Sequence, residues 1–347
     1  MIDTRHIINQ NKTLLEALSQ INSLRNVPLV LFVVDNDERM LGTLTDGDSR
    51  RALIAGAKLS DPICKVIMRD FQFLQEGKNF DVSHLRKQKE MKMRLVPILD
   101  SDSHILDVIN LEKYKTKLPI DAVIMAGGKG ERLRPLTEKT PKPLLKVGEK
   151  CIIDYNVDNL ISCGVEHISV TVNYLGEQLE EHYSIPRDGI KIETVREPKF
   201  LGTIGSIRFV KQFYHDTVLL MNSDLFTNID LEDFYLHFLE HDADMSVAAI
   251  PYSVSVPYGI FDLDGRNING VIEKPTYNYY ANGGIYLIKR EMLERYIPED
   301  TFFNATDFMV KLINENHKVI RYPLHGYWID IGNKQEYQKA QDIVKHL

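Results

Sequence analysis

The chain has 347 residues, of which 44% are hydrophobic, and a formal net charge of −7 at pH 7. This length and composition are typical of a globular protein with two domains and exclude a fibrous or low-complexity chain. Residues 1–118 hold 18 of the 42 Lys and Arg and 16 of the 49 Asp and Glu, so the acidic excess lies in the remainder, and no basic stripe indicates a nucleic-acid partner.

Cysteine content and hydropathy favour a cytoplasmic protein. The three cysteines are odd in number and lack the spacing of a disulfide framework, which favours a reducing compartment. The first ten residues, MIDTRHIINQ, lack the apolar core of a signal peptide. The longest apolar run, Leu29 to Val34, is too short to cross a bilayer. We therefore expect no membrane partner.

The first predicted elements form a repeated β-turn-β unit. The segment LFVVDNDERMLGTLTDGD at 31–48 aligns with LVPILDSDSHILDVINLEK at 95–113. Each segment contains an apolar strand, an Asp-rich turn and a second strand. A unit repeated within about 120 residues predicts two halves stacked into one small α/β domain.

The first half ends in Gly42-Thr-Leu-Thr45-Asp-Gly-Asp48 and resembles a CBS domain, whose Gly-x-x-Thr-x-x-Asp element holds the ribose of an adenine nucleotide. The resemblance implies that Thr45 and Asp48 are regulatory residues, that an adenine nucleotide is a ligand, and that the paired modules form a homo-oligomer. In the second half, the aligned positions are Asp107, Asn110 and Lys113, so this half lacks the ligand pattern. Capping of the following helix is the alternative role of Thr45 and Asp48.

A polar, lysine-rich stretch, KYKTKLPI at 113–120, predicts the domain boundary. We assign 1–118 to the CBS pair and 119–347 to a second domain. In that domain, strand candidates are 167–172, 190–195, 217–221, 245–250, 282–288 and 318–322. Helix candidates are 152–162, 203–213, 230–241, 305–315 and 333–345. This alternation predicts an α/β fold with a doubly wound, mostly parallel, Rossmann-like sheet, and ligands then bind at the carboxyl ends of the strands.

The segment DAVIMAGGKGERLRPLTEKTPKPLLK at 121–146 predicts a polyphosphate site. After its apolar strand comes a glycine turn that contains Gly127, Gly128 and Gly130. Glycines allow close approach of a ligand and let backbone N–H groups face an anion. Arg132 supplies a permanent, fork-shaped cation, and Lys142 lies between two prolines that restrict its backbone. The segment lacks the Gly-Lys-Ser/Thr ending of a P-loop and the third glycine of the dinucleotide fingerprint.

The glycine loop, Arg132 and the Pro-Lys-Pro element together resemble the signature of nucleotidyltransferases that make nucleotide sugars from an NTP and a sugar 1-phosphate. An ordinary glycine turn at a strand end is the alternative. The resemblance implies two catalytic cations: Arg132 on the β- and γ-phosphates, and Lys142 on the α-phosphate and the incoming phosphate. An acidic domain that handles polyphosphate is also expected to use a divalent cation.

Two carboxylates are the candidate ligands of that cation and complete the catalytic set. Asp224 follows the apolar strand of TVLLMNSD (217–224), where the family usually has Gly-Asp and this chain has Ser-Asp. Asp330, in WIDIGN (328–333), resembles the family's second acidic ligand. Two carboxylates with phosphate oxygens suit Mg²⁺. The alternatives are a capping role for Asp224 and a turn position for Asp330.

Other segments resemble the family's substrate contacts. The nucleotide-binding candidates are Asn173, Glu197 and Gly202. The sugar-phosphate candidates are Glu273 and Lys274 of a Glu-Lys-Pro element, together with Asn282 and Gly283. The alternatives are a strand-to-helix cap at Asn173, a solvated bend at Glu-Lys-Pro and a β-bulge at the Asn-Gly-Gly element.

Glu197 favours guanine as the base. Guanine presents adjacent N1–H and N2–H₂ donors, and a carboxylate accepts both. Uracil and thymine present one donor between two acceptors, for which a glutamine is the better match. We therefore expect GTP as the NTP, with UTP and dTTP as the alternatives.

The preferred interpretation is synthesis of GDP-glucosamine and pyrophosphate from GTP and glucosamine 1-phosphate, because the whole chain is similar to bacterial CBS-fused enzymes of legionaminic-acid biosynthesis. Within the same class, the alternatives are a mannose-1-phosphate guanylyltransferase or a sugar-1-phosphate uridylyl- or thymidylyltransferase. In a different class, the alternative is a catalytically inactive regulator that binds a nucleotide sugar. No histidine receives a catalytic role, because a phosphate monoester is already an anionic nucleophile.

Overall fold

The structure is a computed structural model that describes residues 4–25, 27–76, 82–91, 93–112 and 117–346, apart from the side chains at 84, 85, 89 and 90. The chain divides into two compact units, Met1–Lys115 and Thr116–Leu347. The first half of the predicted boundary segment, 113–116, which includes Lys113, lies outside the described residues. Among the helices that are described, none is long and apolar enough to cross a membrane.

The N-terminal unit is an α/β unit with two small sheets. Its strands are β1 (Ile7–Asn9), β2 (Val30–Val34), β3 (Met40–Thr45), β4 (Leu74–Gln75), β5 (Leu95–Leu99) and β6 (Ile105–Asn110). Its helices are α1 (Leu14–Ser23), α2 (Asp46–Ile54) and α3 (Val82–Glu90). Helix α1 begins at a capping box, in which the side chains of Thr13 and Glu16 each accept from the other's backbone N–H; this satisfies two donors that the helix cannot.

The two sheets confirm the internal repeat. Their strand orders are β1-β2-β3 and β4-β5-β6, and in each sheet a parallel pair is followed by an antiparallel pair. The antiparallel pairs share a register irregularity near the end of the first strand, at Val33/Val34 and at Ile98/Leu99. Strands β2 and β5 begin 65 residues apart, at Val30 and Leu95, and β3 and β6 are separated by the same interval.

The C-terminal unit contains the larger sheet and most of the helices. Its strands are β7 (Asp121–Ala126), β8 (Lys146–Val147), β9 (Lys150–Cys151), β10 (His167–Val172), β11 (Ile192–Arg196), β12 (Thr217–Asn222), β13 (Leu225–Thr227), β14 (Met245–Ser255), β15 (Ile260–Asp264), β16 (Asn267–Ile272), β17 (Thr276–Lys289), β18 (Val319–Pro323) and β19 (Trp328–Asp330). Its helices are α4 (Ile152–Ser162), α5 (Gly176–His182), α6 (Leu231–Glu240), α7 (Arg290–Tyr296), α8 (Ala305–Asn314) and α9 (Lys334–Val344).

The central sheet has seven strands in the order β11-β10-β7-β12-β17-β14-β18. All neighbouring pairs are parallel except the two that involve β17, which is antiparallel to β12 and β14. Adjacent residues of β7, such as Ala122 and Val123, are both 1% exposed, so both faces of the sheet are covered. The predicted fold class, α/β with a mostly parallel sheet, is confirmed.

Two arrangements bring polar residues to one edge of this sheet. The carboxyl ends of β7, β10 and β12 lie side by side, because Ala126 pairs with Val172 and Met125 pairs with Asn222. Strands β13 and β19 form a short antiparallel ribbon in which Leu225 lies opposite Asp330. Asp224 and Asp330 are therefore neighbours although 106 positions separate them in the chain.

The prediction of an α-helix over 203–213 is wrong. The structure has a five-residue 3₁₀-helix at Gly205–Phe209. The backbone N–H groups of Ile204 and Gly205 donate to the Phe303 carbonyl oxygen at 3.1 and 3.3 Å. The helical turn ends at Val210, whose backbone is extended, with a φ of −65° and a ψ of 120°. The β-branched Ile207 and Val210 also lower the helix propensity of the segment.

Candidate functional site

A cavity of about 620 Å³ opens at the carboxyl ends of β7, β10 and β12. It is lined by nine predicted residues: Gly127, Gly128, Gly130, Arg132, Lys142, Asn173, Glu197, Gly202 and Asp224. These residues come from six separate segments of the chain. The folded chain therefore brings the predicted phosphate-binding and base-binding residues together in a single concave site.

The glycine loop fits closely against its neighbours. A Cβ atom added at Gly127 would lie 2.6 Å from Glu197 Oε1 and 3.3 Å from the Cβ of Asn173. Gly130 has a φ of +61°, and a Cβ there would lie 3.0 Å from the Cβ of Lys142. Glycine is required at both positions, because a side chain would displace residues that line the cavity. At Gly202, with a φ of +81°, the same holds against the backbone of Phe303.

Lys142 is held between the two predicted metal ligands. Its side chain is largely buried, with 9% of the residue exposed. The Nζ atom forms an ion pair with the Asp224 carboxylate and lies 3.8 Å from Asp330 Oδ1. The ribbon fixes this geometry, because Ile331 N–H donates to the Asp224 carbonyl oxygen at 3.1 Å.

Each of the two carboxylates is partly exposed but has one buried oxygen atom. Asp224 Oδ1 and Asp330 Oδ1 are both buried and have no hydrogen-bond partner among the described residues. Burial raises the pKa of Asp330, and the neighbouring charge of Asp224 raises it further, while Lys142 and Arg132 act in the opposite direction. Asp224 Oδ1 lies outside the hydrogen bond to Lys142, and Asp330 Oδ1 is beyond hydrogen-bond distance of the lysine at 3.8 Å. Two such carboxylates are a ligand set that fits a hard divalent cation such as Mg²⁺.

Arg132 lies beside the acidic pair. A Cβ atom added at Gly332 would lie 3.1 Å from the Arg132 guanidinium and 3.4 Å from Asp330 Oδ1. The Arg132 side chain is exposed at the cavity rim. An exposed guanidinium next to a glycine loop is available to a phosphate group.

Glu197 is a buried carboxylate without a cation. The residue is 5% exposed, and burial raises its pKa, while hydrogen bonds from Leu201 N–H (3.2 Å) and the Ser206 side chain partly offset the rise. Among the described residues, no ion pair involves Glu197. A buried carboxylate of this kind gains from additional hydrogen-bond donors in a ligand.

The predicted sugar-phosphate residues do not line the cavity. Glu273 and Lys274 are exposed in the turn between β16 and β17. Asn282 lies at an irregularity in the β14–β17 pairing, where its side chain accepts from Gly284 N–H and donates to Tyr286 Oη, both at 2.9 Å. Gly283 packs on the backbone of β14, since a Cβ there would lie 2.6 Å from the Ala248 carbonyl oxygen. The geometry at Asn282 and Gly283 is that of a β-bulge.

Thr45 and Asp48 of the N-terminal unit form a capping box at the start of α2. The Thr45 hydroxyl accepts from Asp48 N–H at 3.1 Å, and Asp48 Oδ2 accepts from Thr45 N–H at 2.9 Å and from the Thr45 hydroxyl at 2.6 Å. Asp48 also forms an ion pair with Arg51. Thr45 additionally lines a separate cavity of about 390 Å³ within this unit.

Sequence reasoning missed several residues that line the main cavity. They are Lys129, Thr171, Phe200, Thr203 and Asn222. Lys129 is within the recognised glycine loop and is a further exposed cation. Thr171 is in the strand HISVTV, where a threonine is ordinary, so its position at the strand's carboxyl end was the only available signal.

Another cluster of potential metal ligands lies away from the cavity. One ligand atom each from Cys151, Asp154 and His182 lie within 4.8 Å of one another. The Asp154 carboxylate already pairs with Arg187 at 3.3 Å and accepts from Tyr183 Oη at 3.1 Å. Because Arg187 supplies the positive charge, this cluster is best explained as an ion network that fixes α4 to α5 and its following turn.

Comparison with known proteins identifies similar chains. The family described as nucleotidyl transferase matches residues 121–346. A protein named putative mannose-1-phosphate guanyltransferase, from Sulfolobus acidocaldarius, is 29% identical over 224 residues, covering 63% of this chain and 62% of that protein. The mannose-1-phosphate guanylyltransferase catalytic subunit beta of Danio rerio is 29% identical over 225 residues, or 62% of each chain. The chain thus spans less than two thirds of the length of these relatives.

Among solved structures, HddC from Yersinia pseudotuberculosis is 26% identical, with a TM-score of 0.51 over 65% of this chain and 99% of that chain. The structure of HddC complexed with GMP-PN has a TM-score of 0.50 at 25% identity. The family match begins at Asp121 and lies entirely within the C-terminal unit.

Proposed function

Since this chain belongs to the nucleotidyl transferase family over residues 121–346, we propose that it joins an NTP and a sugar 1-phosphate into a nucleotide sugar and releases pyrophosphate. The observation that carries the proposal is Lys142, buried between Asp224 and Asp330 beside a glycine-lined cavity. The names of the relatives from Sulfolobus acidocaldarius and Danio rerio support the same reaction class.

The proposed chemistry is an in-line displacement at phosphorus. An oxygen of the sugar phosphate attacks the α-phosphorus of the NTP, a new P–O bond forms, and the bond to the bridging oxygen breaks, so that pyrophosphate leaves with the electron pair. Three anionic groups must approach one another, so positioning and charge neutralisation supply the catalysis. Arg132 binds the β- and γ-phosphates, and Lys142 binds the α-phosphate and the incoming phosphate.

Asp224 and Asp330 are the residues that would hold Mg²⁺. The bound ion would neutralise phosphate charge and thereby supply Lewis-acid assistance. The two carboxylates have a second role, since their ion pairs hold the Lys142 Nζ atom in place beside the cavity. Because Asp224 and Asp330 each have a buried oxygen with no hydrogen-bond partner in the described part of the chain, they can accept the ion without first losing a hydrogen bond at that oxygen.

We infer that GTP is the nucleotide substrate. Glu197 is buried, lacks an ion-pair partner in the described chain and lies against Gly127 of the loop. Its carboxylate would accept from the N1–H and N2–H₂ groups of guanine. The guanyltransferase names of two relatives and the GMP-PN complex of HddC support a guanine nucleotide.

Two sugars are candidates for the acceptor. Glucosamine 1-phosphate follows from the resemblance of the two-domain chain to CBS-fused enzymes, and the product would be GDP-glucosamine. Mannose 1-phosphate is favoured by the names of two relatives. The exposed positions of Glu273 and Lys274 leave the sugar side of the site less defined than the nucleotide side.

For residues 1–118 we propose a CBS pair that associates with a second copy of itself. Its internal repeat supports this assignment. Pairing is the preferred role, because the side chains of Thr45 and Asp48 already satisfy each other. Binding of an adenine nucleotide is the second role. Deletion of 1–118 should lower the number of chains per particle, obtained from the light-scattering mass divided by the chain mass, and leave nucleotidyl transfer intact. An unchanged number of chains would refute the pairing.

Pyrophosphate release with Mg²⁺ tests the proposed function. GTP, UTP, dTTP, CTP and ATP are each combined with glucosamine, mannose, glucose and N-acetylglucosamine 1-phosphates. Turnover with GTP and one of the first two sugars is the expected result. A preference for UTP or dTTP would be consistent with the proposed enzyme class but would contradict the proposal that Glu197 recognises guanine. If no combination released pyrophosphate but the protein still bound a nucleotide sugar, the non-catalytic regulator would be favoured.

A further inference from the structure

Thr171 lines the main cavity and carries a buried hydroxyl group that is unpaired among the described residues. The residue is 1% exposed, it lines the cavity, and its Oγ1 atom has no hydrogen-bond partner within the described part of the chain. Buried hydroxyl groups in folded proteins are nearly always paired. The missing partner must therefore come from a bound molecule or from water.

The strand register places this hydroxyl group beneath the residues proposed to bind the base. Thr171 of β10 pairs with Met125 of β7 and with Val195 of β11. Two positions further along these three strands come Gly127, Asn173 and Glu197. Because side chains two residues apart point to the same face of a sheet, Thr171 lies one step below that group.

The two strand neighbours of Thr171 provide no alternative partner. Met125 and Val195 have apolar side chains, and neither can accept or donate a conventional hydrogen bond. The carboxylate of Glu197 is engaged by Leu201 N–H and by Ser206. The side chains next to Thr171 on the neighbouring strands are therefore apolar, and Asn222, which pairs with Met125 on the far side of β7, is the other polar residue that lines the cavity at this level.

We propose that the Thr171 hydroxyl donates a hydrogen bond to O6 of the guanine base and is a specificity-determining residue. This inference rests on the proposed function and deepens it. The pairing edge of guanine presents the O6 acceptor next to the N1–H and N2–H₂ donors. Glu197 accepts from N1–H and N2–H₂, and the Thr171 hydroxyl donates to O6, so each of the three groups on this edge forms a hydrogen bond. Adenine has an amino donor in place of O6 and a bare acceptor at N1, which opposes the Glu197 carboxylate.

The test compares GTP with 6-thio-GTP, in which a sulfur atom, a poor acceptor, replaces O6. Pyrophosphate release is measured for the wild type, Thr171→Val, which keeps the side-chain shape, and Thr171→Ser, which keeps the hydroxyl group. With GTP, Thr171→Val is expected to raise KM roughly 3- to 12-fold, as for loss of one neutral hydrogen bond, with kcat unchanged. Thr171→Ser should restore most of the affinity. With 6-thio-GTP, the wild type and Thr171→Val should have the same KM.

The control variant is Ser169→Ala. Ser169 lies on the same strand and face, two residues earlier, and lines a different cavity, so this change should leave KM for both nucleotides unchanged. Thermal unfolding checks that each variant is folded. An equal rise in KM for GTP and 6-thio-GTP would mean that the hydroxyl group only pairs with buried water, and the proposal would be wrong.

Failure of the proposed function gives a different pattern. If the wild type releases no pyrophosphate from GTP, the same comparison is made by calorimetric binding of GTP and 6-thio-GTP. A selective loss of GTP affinity in Thr171→Val would support the role of Thr171 without catalysis. Absence of GTP binding to the folded wild type would overturn the proposal.

Discussion

The two units differ in the hydrogen bonding of their candidate functional side chains. In the N-terminal unit, Thr45 and Asp48 follow a strand and use their side chains on each other. In the C-terminal unit, Thr171, Asp224 and Asp330 lie at or just beyond strand ends, and each has a buried oxygen atom that accepts no hydrogen bond from the described residues. Candidate side chains that hydrogen-bond to one another stabilise the fold. Candidate side chains whose buried oxygen atoms lack a hydrogen-bond partner indicate where a ligand binds.

The largest expected effect comes from Asp224→Asn, which keeps the size of the side chain and removes its charge. We expect kcat/KM to fall about 10²- to 10³-fold, because Lys142 loses its ion-pair partner and the proposed metal site loses an anionic ligand. Steady-state pyrophosphate release measures this effect. Asp262→Asn, at an exposed position of β15, is the control that should keep full activity.

The same measurement on Asp330→Asn examines the second ligand. Its KM for Mg²⁺ should increase together with the loss of kcat. Full activity of Asp330→Asn at low Mg²⁺ would show that its unpaired oxygen does not mark a metal site, and the contrast between the two units would lose half of its support.

The next effect concerns the choice of base. Glu197→Gln should lower the ratio of kcat/KM for GTP to that for UTP by about 10- to 100-fold, since a hydrogen bond to a charged acceptor is lost and an amide suits uracil. Glu193→Gln, at an exposed position of β11, the strand that directly precedes Glu197, is the matched control and should not change the ratio. An unchanged ratio in Glu197→Gln would mean that this buried carboxylate is structural, like Asp48.

A pH dependence of base choice should accompany this effect. Burial disfavours the charged form of Glu197 and raises its pKa above the ordinary 4.5, so the carboxylate gains a proton at a higher pH than an exposed glutamate does. The GTP/UTP ratio should be highest at neutral pH and should fall as the pH decreases through the raised pKa. Protonation of Asp330 lowers kcat/KM for GTP and UTP alike, so it does not change their ratio. In Glu197→Gln the ratio should be independent of pH.

The smallest effect is expected in the N-terminal unit. Asp48→Ala removes the capping box and should lower the free energy of unfolding of this unit by about 1 kcal/mol, with nucleotidyl transfer unchanged. Urea unfolding measures the loss, and Asp46→Ala, which leaves the box intact, is the control. A variant that keeps its stability and loses affinity for an adenine nucleotide would show that Asp48 binds a ligand.

Local signals in the sequence predicted much of the nucleotide side of the site. The glycine loop, Arg132 and Lys142 are close in the chain, and Asp224 directly follows an apolar strand, so short patterns were sufficient. The same patterns predicted the mostly parallel sheet, including α4 and β10 at their observed bounds.

The features of the candidate site that local sequence patterns did not indicate depend on contacts between distant parts of the chain. The ribbon of β13 and β19 places Asp330 beside Asp224, and a family resemblance, not a local pattern, pointed to that residue. Thr171 was missed because a threonine inside a strand is common and its lack of a partner exists only in the folded chain. The helix predicted over 203–213 is replaced by a 3₁₀-helix at Gly205–Phe209, which ends where the Val210 backbone becomes extended.

The most direct test is a crystal structure of the protein with Mn²⁺ and a non-hydrolysable GTP analogue, with Mn²⁺ located by its anomalous scattering. We expect the anomalous peak to be coordinated by Asp224 and Asp330, Lys142 to contact phosphate, and the guanine edge to contact Glu197 and Thr171. A peak at any other group of residues, with ordered water on the free oxygens of Asp224 and Asp330, would contradict the claim that unsatisfied buried atoms mark the site.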